Sequence, residues 1–177
     1  MTVYRNAGHC IARVMSIEAN DGTVKSGWQM KYKPPGWPEE AATAGSGLTQ
    51  SDRLTQDAMT RQMLHRELSD QQWHAIVAKY SINDREVADS VRWLIPRVTS
   101  PAHQLFVTKA VTAWAVPRRL PEGFYVLHSW DADGTPESTL RRWRGGVCKW
   151  LNANVDDAHK RIEDLLKDQG LLLDAAA

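Results

Sequence analysis

Six histidines, at positions 9, 65, 74, 103, 128 and 159, and two cysteines, Cys10 and Cys148, are the side chains with which this sequence could attempt acid–base, nucleophilic or metal chemistry. Their spacing supports none of the three. No HExxH pair and no GxSxG serine occurs, and no GxxxxGK[ST] loop is present to cradle nucleotide phosphates. The "DADG" stretch from Asp131 starts like a calcium loop, but Arg142 stands where a bidentate glutamate is needed, so it reads as a turn. Cys10 follows His9, and a histidine can activate a thiol, yet useful pairs meet in space rather than in sequence. Neither cysteine belongs to a CxxC pair, so buried free thiols are expected rather than a zinc site or a disulfide framework. The expectation is a protein that binds rather than catalyses, with no metal and no cofactor.

The chemistry the sequence does offer is cationic. In "GTPESTLRRWRGGVCKWLN", from Gly134 to Asn152, Leu140, Trp143, Val147, Trp150 and Leu151 share one sector about a hundred degrees wide on a helix, which makes them its core face. Ser138, Arg142 and Lys149 point away from that sector, Arg141 and Arg144 flank it, and Glu137 is the lone acid. Thr135 is the expected cap and Pro136 the first helical residue. Gly145 and Gly146 fall outside the apolar sector, where each costs about 1 kcal/mol relative to alanine. Two readings stand side by side. A surface without side chains lets a phosphate backbone, or another protein's backbone, come close to the helix axis; or the glycines divide two shorter helices or admit a neighbouring one.

A local basic site is the only kind available, because 22 Lys+Arg against 21 Asp+Glu leave a net charge of +1 and no global field for a polyanion. With 177 residues, 42% of them hydrophobic, the chain is long enough for one domain with a real core. It lacks a stretch apolar enough to span a bilayer and a leader pattern at its start, so a cytoplasmic location without membrane contact is expected.

The elements that must position the basic stripe are helical. Residues 1–47 are read as an irregular extension and linker, in which "HCIARVMSIE" suits strand or short helix and "KPPGWPEE" is extended. Trp28 and Trp37, with no helical stripe to bury them, are candidate anchors for a protein partner or a satellite cluster on the fold. Residues 48–177 are read as a helical domain. A first helix places Leu54, Ala58, Leu64 and Leu68 on one face, with Met59 and Met63 on another. The second opens at Ser69 with Gln72 at capping-box spacing and carries Trp73, Ile76, Val77 and Tyr80. The third runs from Asn83 to Pro96 on Val87, Val91, Leu94 and Ile95. The fourth is capped by Ser100, with Pro101 first, Phe106, Ala110, Ala113 and Trp114 on one side and Pro117 as its stop. Phe124 and Leu127 favour a short helix before the "DADG" turn, a strand being the competing picture. A last helix starts at the Asn154 cap, carries Ala158, Ile162, Leu165 and Leu166, ends at Gly170 and offers a surface for self-association.

A short helix ending near Trp130, a tight turn and a capped basic helix are in the order of a helix-turn-helix, at about 121–151. "GFYVLHSWDADGTPESTLRRWRGGVCKWLN" resembles the helix-turn-helix of sigma-factor region four, and more closely that of the zinc-less lambdoid phage late-gene antitermination proteins, through Phe124, Leu127, Gly134, Leu140, Arg141, Arg142 and Val147. The resemblance is looser over "QDAMTRQMLHRELSDQQWHAIVAKY", and residues 83–120 would be an insertion. It implies a mainly α, non-enzymatic transcription regulator that binds double-stranded DNA near a late promoter and loads onto bacterial RNA polymerase. Carried over residue by residue, Thr135, Ser138 and Thr139 would face bases or nearby phosphates, and Arg141, Arg142, Arg144 and Lys149 would meet backbone or guanine edges. The alternative is a DNA-binding subunit of the small-terminase or repressor kind.

Overall fold

The computed structural model describes residues 3–17 and 50–172, and within them the chain is mainly helical. Six α-helices are formed: α1 (Ala7–Met15), α2 (Gln50–Glu67), α3 (Asp70–Tyr80), α4 (Asp84–Leu94), α5 (Gln104–Ala115) and α6 (Glu137–Asp168). Trp28 and Trp37 lie outside the described residues.

α6 is the spine. Its buried residues, Leu140, Val147, Leu151, Val155, Ala158, Ile162, Leu165 and Leu166, keep to one helical face, seven residues apart at first and then three or four, without a phase break, so one helix of 32 residues, about 48 Å long, serves two cores. Its first half packs with α4, α5 and Trp130 around Phe106, Val111 and Leu94. Its second half packs with α1, α3 and the end of α2 around Ile11, Leu64 and Ile76. The expected break at Asn154 therefore does not occur: Asn154 donates its side-chain amide to the Trp150 carbonyl one turn back, at 2.9 Å. Gly145 and Gly146 do not divide the helix either. Gly170 ends it as expected, in the left-handed region at φ 62°.

α3 and α4 begin as the sequence predicts. Ser69 and Gln72 close a complete capping box, and the Asn83 side chain accepts from the amides of Arg85 and Glu86. Other expectations are corrected. Residues 1–47 are not irregular throughout, because 7–15 form α1, with the Asn6 side chain capping it through the His9 amide and Ala7, Cys10, Ile11, Val14 and Met15 buried. The buried stripe of α2 is Asp57, Thr60 and Leu64, continued by Leu68 just past its end, whereas Leu54 is 51% exposed and Met59 62%; Ala58 is exposed too. Two polar residues of that stripe answer Tyr4, whose hydroxyl donates to Asp57 at 2.7 Å, so hydrophobicity alone misplaces the face.

α5 starts later than its Ser100–Pro101 signal. His103 caps it by accepting the Phe106 amide on Nδ1 at 3.3 Å, while the Ser100 hydroxyl accepts from Ala102 in the turn before it. The short helix expected ahead of "DADG" is instead two 3-10 turns, Glu122–Tyr125 and Leu127–Trp130, and the competing strand is not formed there. Tyr125 fixes this segment by donating its hydroxyl to the Val116 carbonyl and accepting the amides of Arg119 and Leu120. A helix-turn-helix of two α-helices is thus not present at 121–151.

Candidate nucleic-acid interface

The turn Asp131–Pro136 sets the angle at which α6 leaves the 3-10 segment. Gly134 takes φ 70°, a conformation glycine adopts without a Cβ penalty. Thr135 is not the cap expected of it: its amide donates to Asp131 Oδ2 at 2.8 Å, Pro136 occupies the cap position in an extended conformation, and Glu137 is the first helical residue.

The other oxygen of Asp131 faces a histidine. Oδ1 lies 3.4 Å from His103 Nε2, and the carboxylate is 3% exposed. The amide of Thr135 first, and then His103, hold its pKa below the usual aspartate value. His103, Asp131 and Asp133 bring their ligand atoms within 4.8 Å of one another, a cluster that the sequence does not announce because the histidine comes from the start of α5. The hydrogen bonds decide its use. His103 Nδ1 accepts the Phe106 amide, which assigns the ring proton to Nε2, but the 3.4 Å approach to Asp131 Oδ1 does not close a hydrogen bond, and among the described residues both buried atoms are without one. A nitrogen that keeps its proton has no lone pair for a cation, so the cluster as it stands is a polar contact between the start of α5 and the turn before α6.

On α6 the expected site residues separate. Ser138, Arg142 and Lys149 are exposed on the outer face. Arg142 and Lys149 have no acidic partner among the described residues. Arg141 is exposed on the flank and pairs with Glu137, one turn earlier, through Nε at 2.9 Å. That partner, and its bonds to His128, pull the Glu137 pKa down, the Arg141 hydrogen bond being the largest cause. Arg144, on the same flank, lies 6.0 Å from the Trp130 ring centroid. Thr139 is half-buried on the opposite flank and Thr135 half-buried in the turn, so the two threonines do not join the Arg142–Lys149 stripe.

Between Arg142 and Lys149 lie Gly145 and Gly146. A Cβ built on either meets no atom of the described residues within 4 Å, so none of the described helices requires their bareness. They leave a patch of uncovered helix backbone between two cations seven positions, or about 10 Å, apart along the axis. Charge is also polarised along α6. From 137 to 152 four cations face Glu137 alone, whereas from 153 to 168 Lys160, Arg161 and Lys167 face five carboxylates. The positive end of the helix dipole adds to the first half. Among the described residues no helix is long and apolar enough to cross a membrane. No protein-family model, curated protein or solved structure matches the chain.

Proposed function

We propose that this protein binds double-stranded DNA by laying the phosphate backbone across the outer face of the first half of α6, and that it acts as a transcription regulator. The observation that carries the reading is the Gly145–Gly146 pair, exposed in an unbroken helix between two unpaired cations. Two helix-interior glycines cost about 2 kcal/mol together, and no packing contact among the described residues accounts for that cost. Close approach of a ligand backbone does account for it. Arg142 and Lys149 supply the charge-assisted contacts on either side, Ser138 a hydroxyl donor, and Arg144 a further guanidinium on the flank. The acidic second half of α6 repels a polyanion and so sets where along the helix it lies.

The narrower role, antitermination on bacterial RNA polymerase, is supported by the resemblance of residues 123–152 alone. With two 3-10 turns ahead of α6, the reading rests on backbone contact rather than on helix-turn-helix insertion into the major groove. Trp28 and Trp37, for which the resemblance nominates polymerase, contribute nothing to it from the described residues.

The test is Gly146→Ala. Alanine fits the open space and favours helix, so the melting temperature rises, by the equivalent of about 1 kcal/mol. The added methyl stands where the DNA backbone would lie, so affinity for a duplex falls at the same salt concentration. A variant that is more stable and binds DNA as well as the natural sequence counts against the reading.

A further inference from the structure

Beside the outer face, the flank of α6 and the paired 3-10 turns border an open cleft of about 570 Å³, within the usual size of small-molecule sites. One wall is apolar and held still. Tyr125 is fixed by its three hydrogen bonds, the Ser129 hydroxyl donates to the Val126 carbonyl at 2.7 Å, and the Trp130 indole donates to the Phe124 carbonyl. On this wall Val126 stands 51% exposed, an apolar side chain that the core does not use, beside the half-buried Leu127.

The facing wall is α6. Gly145 leaves room where any other residue would project into the cleft, and its Cβ would meet nothing. The charges are unequal in their freedom. Glu137 is engaged on one side by Arg141 and on the other by His128, whose Nε2 is 3.7 Å away, so those three largely satisfy one another. Arg144 lines the same cleft and has no carboxylate partner among the described residues. A cavity with a rigid apolar wall, a bare backbone floor and one uncompensated guanidinium selects an anion with a flat apolar body; a cation or a purely polar anion lacks one of the two contacts.

We propose that this cleft binds a small organic anion of that kind, an aromatic carboxylate, sulfonate or phosphate, and that its occupancy competes with DNA phosphate for Arg144. The competition rests on the proposed function, whereas the cleft assignment stands without it.

The probe is 8-anilinonaphthalene-1-sulfonate, an aromatic sulfonate whose fluorescence reports burial. Gly145→Leu and Gly146→Leu form a matched pair, since both glycines are exposed on one helix in open space and only Gly145 lines the cleft. The expected result is saturable binding that weakens at least about tenfold, or about 1.4 kcal/mol, in Gly145→Leu and stays unchanged in Gly146→Leu. Arg144→Gln weakens it too. Cys148 lines the cleft and Cys10 is buried, so maleimide labelling of the native protein reads Cys148, and the probe should slow it. Equal binding by the two leucine variants, or Cys148 labelling that the probe leaves unchanged, would overturn the cleft assignment. A second titration follows duplex DNA: saturating probe should weaken DNA binding by the natural sequence, and should do so less in Arg144→Gln, which keeps Arg142 and Lys149 for the duplex but lacks the shared guanidinium. Undiminished DNA affinity at saturation overturns the competition. Absence of DNA binding without probe overturns the DNA reading and the competition with it, while the leucine pair alone decides the cleft.

Discussion

Tyr4 shows what a single hydroxyl does in this fold. It is fully buried, donates to Asp57 at 2.7 Å and sits 3.1 Å from the Thr60 hydroxyl, and Asp57 takes Arg13 on its other oxygen at 2.9 Å. Burial raises the pKa of the phenol, so it stays a neutral donor at ordinary pH. Tyr4→Phe leaves Asp57 a buried acceptor short of one partner and should cost about 1–3 kcal/mol, read from urea unfolding midpoints. A loss too small to measure would mean that the triad does not tie α1 to α2. Protonation acts at this scale as well. His9, His74 and His159 all have pKa values lowered first by burial, and His74 also stacks on Trp93 with centroids 4.4 Å apart. The folded chain prefers these rings neutral, so the unfolded chain binds more protons and their contribution is present above the free value of 6.5. It is lost as pH falls below that value and through the depressed folded values. Asp131, also depressed, has the same sign in a lower window, below the ordinary 3.8. The melting temperature should therefore fall between about pH 7.5 and 5.5, less so in His74→Gln, and fall again in strong acid, where Asp131→Asn flattens the second step. A flat profile from neutral to mildly acidic pH would contradict the histidine assignment.

At the scale of elements, removing residues 1–17 should abolish cooperative unfolding, because it takes Tyr4, Cys10, Ile11, Val14 and Met15 out of one core; a truncated chain that melts as sharply and as high as the full one would contradict this. That α1 was open between strand and helix in the sequence has a plain cause. Nine residues give two turns of periodicity, and Gly8 weakens the signal that the Asn6 cap supplies. α3 and α4 were legible because their caps and apolar stripes agree. α2 was legible as a helix but not as a face, since its inward positions include Asp57 and Thr60, whose partner Tyr4 is more than fifty residues away. The first half of α6 was legible to the residue on its outer face. Its continuity was not, because Asn154 has the side chain of a helix cap, although the stripe from Leu151 to Val155 and Ala158 runs past it unbroken. The 3-10 wall was legible only as a short helix through Phe124 and Leu127, and the His103–Asp131 contact not at all: both depend on where Tyr125 and α5 sit in space, and no spacing along the chain encodes that.

For the whole molecule, a net charge of +1 means that any affinity for a polyanion must come from the way charge is arranged. α6 joins two cores and carries opposite charge balances at its two ends, so the fold holds one basic stripe rigidly and keeps the rest of the helix unattractive to phosphate. The proposed DNA binding stands on that stripe. Its most direct test is the salt dependence of binding to a short DNA duplex, followed by fluorescence anisotropy, for the natural sequence and for Arg142→Ala/Lys149→Ala. Each phosphate contact contributes a slope of about −0.9 to log K against log salt concentration, so the double variant should bind more weakly and with a slope shallower by about 2, at unchanged melting temperature. The same affinity and the same slope in both proteins would show that the outer face of α6 does not hold DNA.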